Sequence, residues 1–161
     1  MTPTNKIRLA TVWLCGCSGC HMSFLDLDEW LIDLTAQVEV VFSPVGSDVK
    51  TYPENVDVCL VEGGVANEEN LALIREVRQR TRWLIAFGDC AVTANVPAMR
   101  NWLKGSAEVL ERCYIDLADV APQTPRAPGI VPPLLERVVP VHEVVPVDAF
   151  IADLNCHAAL S

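Results

Sequence analysis

The sequence predicts an α/β layer fold with a mainly parallel sheet. Apolar, β-branched runs alternate along the chain with segments whose apolar residues recur at helical spacing, the signature of strand–helix units. Three of the predicted strands end directly in small or chemistry-bearing residues: Cys15-Gly16-Cys17, Glu62-Gly63-Gly64 and Gly88-Asp89-Cys90. In open α/β sheets the carboxyl ends of the strands are where sites are built. At 161 residues the chain fits one domain with a substantial core.

In order, Lys6–Leu14 (KIRLATVWL) reads as a buried strand that runs into the cysteine loop. Met22–Leu34 (MSFLDLDEWLIDL) reads as an amphipathic helix with acids between its apolar positions, and Asp26, Asp28, Glu29 and Asp33 form a solvated face or a rim for a partner. Gln37–Ser43 is a second strand. Pro44–Asn55, with Pro44, Gly46 and Pro53, is a loop, and Val56–Val61 is a third strand. Asn67 is placed to cap a helix that runs to about Arg80, with Glu68 and Glu69 in its first turn, where they complement the helix dipole. Trp83–Phe87 is a fourth strand, and a short helical piece follows around Val96–Leu103. Residues Tyr114–Pro133 form a proline-rich excursion over the surface, after which Val138–Ile151 returns as β-type sequence interrupted by Pro140 and Pro146. There is no internal repeat, and residues 1–161 read as a single domain.

The formal net charge of −9 argues against nucleic acid or an anionic membrane as partner. Hydrophobic residues make up 51% of the chain and mean hydropathy is +0.27. No apolar run approaches the ~18 residues of a membrane span, so the surplus is expected at a protein interface. The first residues carry neither a signal-peptide pattern nor a twin-arginine motif, which places the expected location in the cytoplasm. In a reducing compartment, seven cysteines read as metal ligands or reactive thiols plus buried bystanders.

Cys17-Ser18-Gly19-Cys20 is a C-x-x-C, a spacing that suits zinc, an iron–sulfur cluster or a redox disulfide. Zinc ribbons show a second close pair, which is absent. A thioredoxin-like pair leaves Cys90 and Cys156 unexplained. A cluster takes thiolates from any positions that converge in space, as the strand ends allow. Cys59, in mid-strand, and Cys113, beside Tyr114, read as packing residues, and Cys15 reads as a neighbour of the ligands. His21 is expected as a hydrogen-bond partner and His142 as a core histidine. Glu62 is either a simple cap or a carboxylate facing the site.

The runs Cys17-Ser18-Gly19-Cys20-His21-Met22-Ser23-Phe24-Leu25-Asp26, Val61-Glu62-Gly63 and Gly88-Asp89-Cys90-Ala91 resemble the small subunit of nickel–iron hydrogenases. The first of them, with Val131-Pro132-Pro133-Leu134-Leu135 and Val139-Pro140-Val141-His142-Glu143-Val144, is closest to the cytoplasmic NAD-reducing branch. A related subunit of respiratory complex I carries adjacent cysteines, absent here. The resemblance extends from Lys6 to about Ile151. It implies a flavodoxin-like, doubly wound, three-layer domain carrying one 4Fe–4S cluster, the one proximal to a nickel–iron centre in a separate large subunit. Electrons would pass between that centre and a diaphorase part with further iron–sulfur clusters, FMN and an NAD site. Cys17, Cys20 and Cys90 match the first three ligands, with Ser18, His21 and Glu62 as candidate neighbours that tune the cluster. Export-type small subunits add a further domain, for which this chain is too short. The family's Pro-Gly-Cys-Pro-Pro after the last strand is replaced here by Ala152-Asp153-Leu154-Asn155-Cys156-His157. Cys156, offset by about two residues, is carried over as the fourth ligand, with His157 or Asp153 as substitutes. The alternatives are a flavodoxin-like FMN module, a thiol–disulfide protein using Cys17 and Cys20, and a subunit that only scaffolds its partner. The loop after the first strand has cysteines where a flavin phosphate loop would be rich in Ser, Thr and Gly.

Overall fold

The computed structural model describes residues 6–116 and 133–152. Strands β1 (Ile7–Trp13), β2 (Val38–Phe42), β3 (Val56–Glu62), β5 (Thr81–Phe87) and β7 (Ala149–Ile151) form one sheet in the order β2-β1-β3-β5-β7. Every pairing in it is parallel. A second, two-stranded ribbon pairs β4 (Val65–Asn67) antiparallel to β6 (Leu134–Val139). The strand order reverses between β1 and β3, because the chain leaves β1 toward β2 and leaves β3 toward β5. Right-handed crossovers in opposite directions put their helices on opposite faces of the sheet. This is the expected doubly wound, three-layer arrangement.

The core forms where period-two alternation on the strands meets helix α3 (Glu68–Arg80). Ala10 and Val12 of β1, Cys59 and Val61 of β3 and Leu84 and Ala86 of β5 pack with Ile74 and Val77 of α3, all of them buried. Burying each Val, Leu and Ile side chain among them stabilises by about 1.5–3 kcal/mol. The expected cap is in place: the Asn67 side chain accepts from the Asn70 amide at 2.7 Å. In the long loop before β3, Tyr52 is buried, with its hydroxyl 2.6 Å from Thr81 Oγ1.

The structure corrects three expectations. The single helix over Met22–Leu34 is two, α1 (Gly19–Leu25) and α2 (Trp30–Gln37). The break falls at Asp28, whose φ of +47° is left-handed. Asp tolerates that conformation better than most residues, so the helix breaks there although apolar residues continue at helical spacing. Val138–Ile151 is not one returning β segment. Pro140 and Pro146 bracket a 3₁₀ turn at Val141–Glu143, and the strands on either side belong to different sheets. His142 is exposed and meets Phe150 edge-on at 5.8 Å instead of lying in the core. The short helical piece appears as α5 (Asn95–Ala98) and a 3₁₀ turn at Met99–Trp102, preceded by α4 (Asp89–Thr93). Helix α6 (Ser106–Glu111) follows and runs into a π turn at Arg112–Asp116. Most of the proline-rich excursion, residues 117–132, lies outside the described residues.

The edge strand β7 is tied to the sheet at its start by Asp148. The Asp148 carboxylate accepts from the Leu84 amide at 2.7 Å and from Arg78 Nη1 at 2.6 Å, and both contacts hold its pKa below the usual carboxylate value, the Arg78 bond most strongly. A carboxyl with a depressed folded-state pKa contributes stability above its unfolded value of 3.8 and loses it as pH falls through the folded value. Melting curves taken below about pH 4 should therefore show a steeper loss of Tm for the wild type than for Asp148→Asn. Parallel losses in the two proteins would contradict this.

Candidate functional site

The carboxyl ends of β1 and β3, adjacent at the point where the strand order reverses, are fastened together beyond the sheet. Leu14 N–H donates to the Glu62 carbonyl at 2.8 Å, and Cys15 and Gly64 exchange two backbone bonds of 3.1 and 2.7 Å. Gly63 makes that close approach possible. Its φ is +95°, and a Cβ there would stand 2.8 Å from the Cys15 carbonyl carbon. Cys15 is thus a backbone fastener, and its half-buried side chain packs beside Ala66, Ala94 and Val138.

The loop then turns through Ser18, whose φ of +69° is left-handed, into α1. Three sulfurs come together here. Cys17 is exposed, Cys20 half-buried and Cys90 buried. Burial raises the Cys90 thiol pKa, and the neighbouring Cys17 and Val96 backbone amides work against that rise. The Cys20 thiol is pushed up to about 11, first by burial and then by the negative charges of Glu62, Cys17, Cys90 and Asp89 around it. Gly88 supplies the floor. With φ +86° and ψ 160° it occupies a region that is essentially glycine's alone, and a Cβ there would coincide with Cys20 Sγ.

Behind the cysteine loop lies a buried polar pair. Glu62 is fully buried, and its Oε2 accepts from the His21 backbone amide at 3.0 Å and from His21 Nδ1. The imidazole stacks on Trp13, ring centres 5.5 Å apart. Glu62 Oε1 and His21 Nε2 are buried without a partner among the described residues. Glu62 is therefore more than a simple turn cap: buried behind the cysteine loop, it holds the first turn of α1, and with it Cys20, against the end of β3. His21 is the hydrogen-bond partner the sequence led us to expect.

Cys59 is buried in the core as expected. Cys113 is exposed, against the packing expectation, because the α6 and π-turn segment buries none of its residues. Cys156, His157 and Asp153 lie outside the described residues. Among the described residues no group of three or more His, Cys, Asp or Glu side chains is arranged to hold a metal ion. An iron–sulfur cluster makes a different demand, since its cysteines bind separate irons around a larger body. Three soft thiol donors and a floor with no Cβ fit that demand. The fastening of Cys15 to Gly64 and the left-handed Ser18 were not predicted from the sequence, although the glycine pair after Glu62 is the signal for the first.

The family model described as "NADH ubiquinone oxidoreductase, 20 Kd subunit" matches residues 17–159. The chain belongs to that family. It is 41% identical over 151 residues to the delta chain of the NAD-reducing hydrogenase HoxS of Cupriavidus necator, covering 91% of this chain and 71% of that protein. It is 42% identical over 146 residues to a component of the F420-non-reducing hydrogenase of Methanococcus voltae, covering 89% of this chain and 50% of the relative. A crystal structure of an NAD+-reducing [NiFe]-hydrogenase in the H2-reduced state superposes with a TM-score of 0.80 at 42% identity, covering 90% of this chain and 80% of the other. The chain spans about half the length of the first curated relatives it matches. Family membership agrees with the resemblance read from the cysteine motifs.

Removing one partner of a buried hydrogen bond, so that the other is left unsatisfied, typically costs about 1–3 kcal/mol, and Glu62 serves two such bonds to His21. Glu62→Ala should lower unfolding stability in urea by that order, and Glu62→Gln, which keeps an acceptor for the His21 amide, by clearly less. A Glu62→Ala protein within about 1 kcal/mol of the wild type, roughly the net worth of one ordinary hydrogen bond, would contradict the role given to the pair.

Proposed function

We propose that this chain is the electron-transfer small subunit of a nickel–iron hydrogenase of the NAD-reducing type, a flavodoxin-like domain that holds one 4Fe–4S cluster. The observation that carries the reading is the convergence of Cys17, Cys20 and Cys90 at the carboxyl edge of the sheet. Membership of the family and the similarity to part of an NAD-reducing hydrogenase support it. Cys17, Cys20 and Cys90 are the ligands proposed, with Cys156 as the fourth. When bound, the cluster supplies a one-electron relay, whose potential is set by ligation, hydrogen bonds to sulfur and burial.

The protein's part is positioning and insulation. The Cys15–Gly64 fastening and the Glu62–His21 pair hold the loop that presents Cys17 and Cys20. Gly88 admits the Cys20 sulfur, and the Cys17 and Val96 amides bear on Cys90. Trp13 stacks on His21 beside the start of α1. Ser18 and Gly19 amides remain candidate donors to cluster sulfur.

The partners proposed are a large subunit with the nickel–iron centre and diaphorase subunits carrying FMN and further clusters. Beside the cysteine loops the surface is apolar: Met22 and Leu25 on α1 and Val96, Met99 and Trp102 on the segment after Cys90 are exposed. A patch of this kind next to a redox site is suited to a protein partner that takes over the electron. No helix among the described residues is long and apolar enough to cross a membrane. We place the assembly in the cytoplasm.

In the assembled complex, Cys17→Ser and Cys90→Ser should each abolish hydrogen-dependent NAD reduction while leaving NADH oxidation by the diaphorase part with an artificial acceptor intact. Full hydrogen-dependent NADH production by either variant would overturn the assignment.

A further inference from the structure

Strand β7 has three residues, none of them fully buried, and Phe150 is exposed. Its apolar contacts therefore specify register weakly, although a slip of one residue would turn every side chain to the opposite face. What the strand lacks in burial is supplied at its two ends. At the start, Asp148 acts as a rung of the ladder: its amide donates to the Leu84 carbonyl at 2.9 Å, and its carboxylate accepts from the Leu84 amide at 2.7 Å. The carboxylate is held in turn by Arg78, whose guanidinium also donates to the carbonyls of Pro146, Thr81 and Arg82 at 3.2, 2.6 and 3.1 Å. One arginine at the end of α3 thus ties together the helix exit, the start of β5 and the entry to β7. At the far end, Gly88 N–H donates to the Ile151 carbonyl at 2.6 Å. Gly88 is the residue whose missing Cβ makes room for Cys20 Sγ, and Cys90 follows two residues later.

We propose that Asp148, locked by Arg78, is a remote positioning residue for the cysteine site: it sets the register of β7 on β5, and so the hold of the Ile151 carbonyl on Gly88, against which the Cys20 sulfur sits. The inference rests on the iron–sulfur reading in one respect, that the pocket holds a cluster. The register lock itself is independent of it. The pairs Ile85–Ala149, Ala86–Phe150 and Phe87–Ile151 all follow from the Asp148–Leu84 rung. If the rung is lost, only the three-residue ladder and the Gly88–Ile151 bond remain to align the strand, and that bond involves the glycine the site depends on.

The test uses the full chain, purified and reconstituted anaerobically with iron and sulfide, as wild type, Asp148→Ala, Asp148→Asn and Arg78→Ala. Circular dichroism first identifies a temperature at which all four are folded. Two readouts follow there: amide hydrogen exchange at Leu84 and Gly88, and iron per chain together with the EPR spectrum after reduction. Asp148→Ala should exchange at Gly88 at least tenfold faster than wild type and retain less iron or give an altered cluster signal. Arg78→Ala should follow it. Asp148→Asn, which keeps an acceptor for the Leu84 amide, should fall between. A residue that merely adds stability would speed exchange at Gly88 no more than at core amides such as Val12, and would leave iron content and the spectrum unchanged at that temperature. Unchanged Gly88 exchange, or a wild-type iron content and spectrum in Asp148→Ala, would overturn the proposal. If the wild type itself takes up no iron, the cluster reading fails, and the exchange comparison still decides the register lock.

Discussion

The buried carboxylate of Glu62 is the contact on which the cysteine site depends. It lies at the end of the central strand β3 with no access to water, and it is satisfied on one oxygen by the amide and ring of His21. A polar group so placed is costly unless hydrogen-bonded, which makes the position of the first turn of α1 close to obligatory. The consequence reaches the chemistry directly, because that turn carries Cys20, and Cys17 precedes it by one tight loop. The Cys15–Gly64 fastening works in the same direction from the other side. Two strand ends that would otherwise lead separate loops are held as one rigid shelf.

The rest of the fold brings other segments to that shelf. Gly88 and Cys90 come from β5, on the far side of β3. Strand β7 brings the chain back beside Gly88 under the control of Arg78 and Asp148. A reversal of strand order creates the crevice, as in other doubly wound sheets. Here it is lined by sulfur instead of a phosphate-binding loop. Such a site is suited to an electron relay: it is held by several elements at once, so that oxidation state need not change the backbone. On one side it is bordered by apolar residues fit for a partner.

Much of this was legible in the residues, and the remainder was hidden for physical reasons. The parallel strands followed from β-branched runs, the helix start from Asn67, and the converging cysteines from their positions at strand ends. The continuous helix over Met22–Leu34 failed because periodicity does not register a left-handed aspartate in mid-run. The β4–β6 ribbon was missed because β4 has only three residues and pairs across more than sixty positions, a contact that local pattern cannot reveal. His142 was misplaced because an apolar neighbourhood in sequence is not a buried one when prolines turn the chain outward. Glu62 was open to two readings because the sequence does not say which side chain a buried carboxylate will meet.

The central claim is that the three convergent thiols belong to an iron–sulfur site. Iron and acid-labile sulfide in the anaerobically purified protein, with EPR spectra before and after reduction, test it most directly. The account predicts close to four irons and four sulfides per chain, as a single 4Fe–4S cluster requires, and a paramagnetic signal that appears on reduction. A protein with neither iron nor sulfide, or one bearing a flavin spectrum in their place, would contradict it.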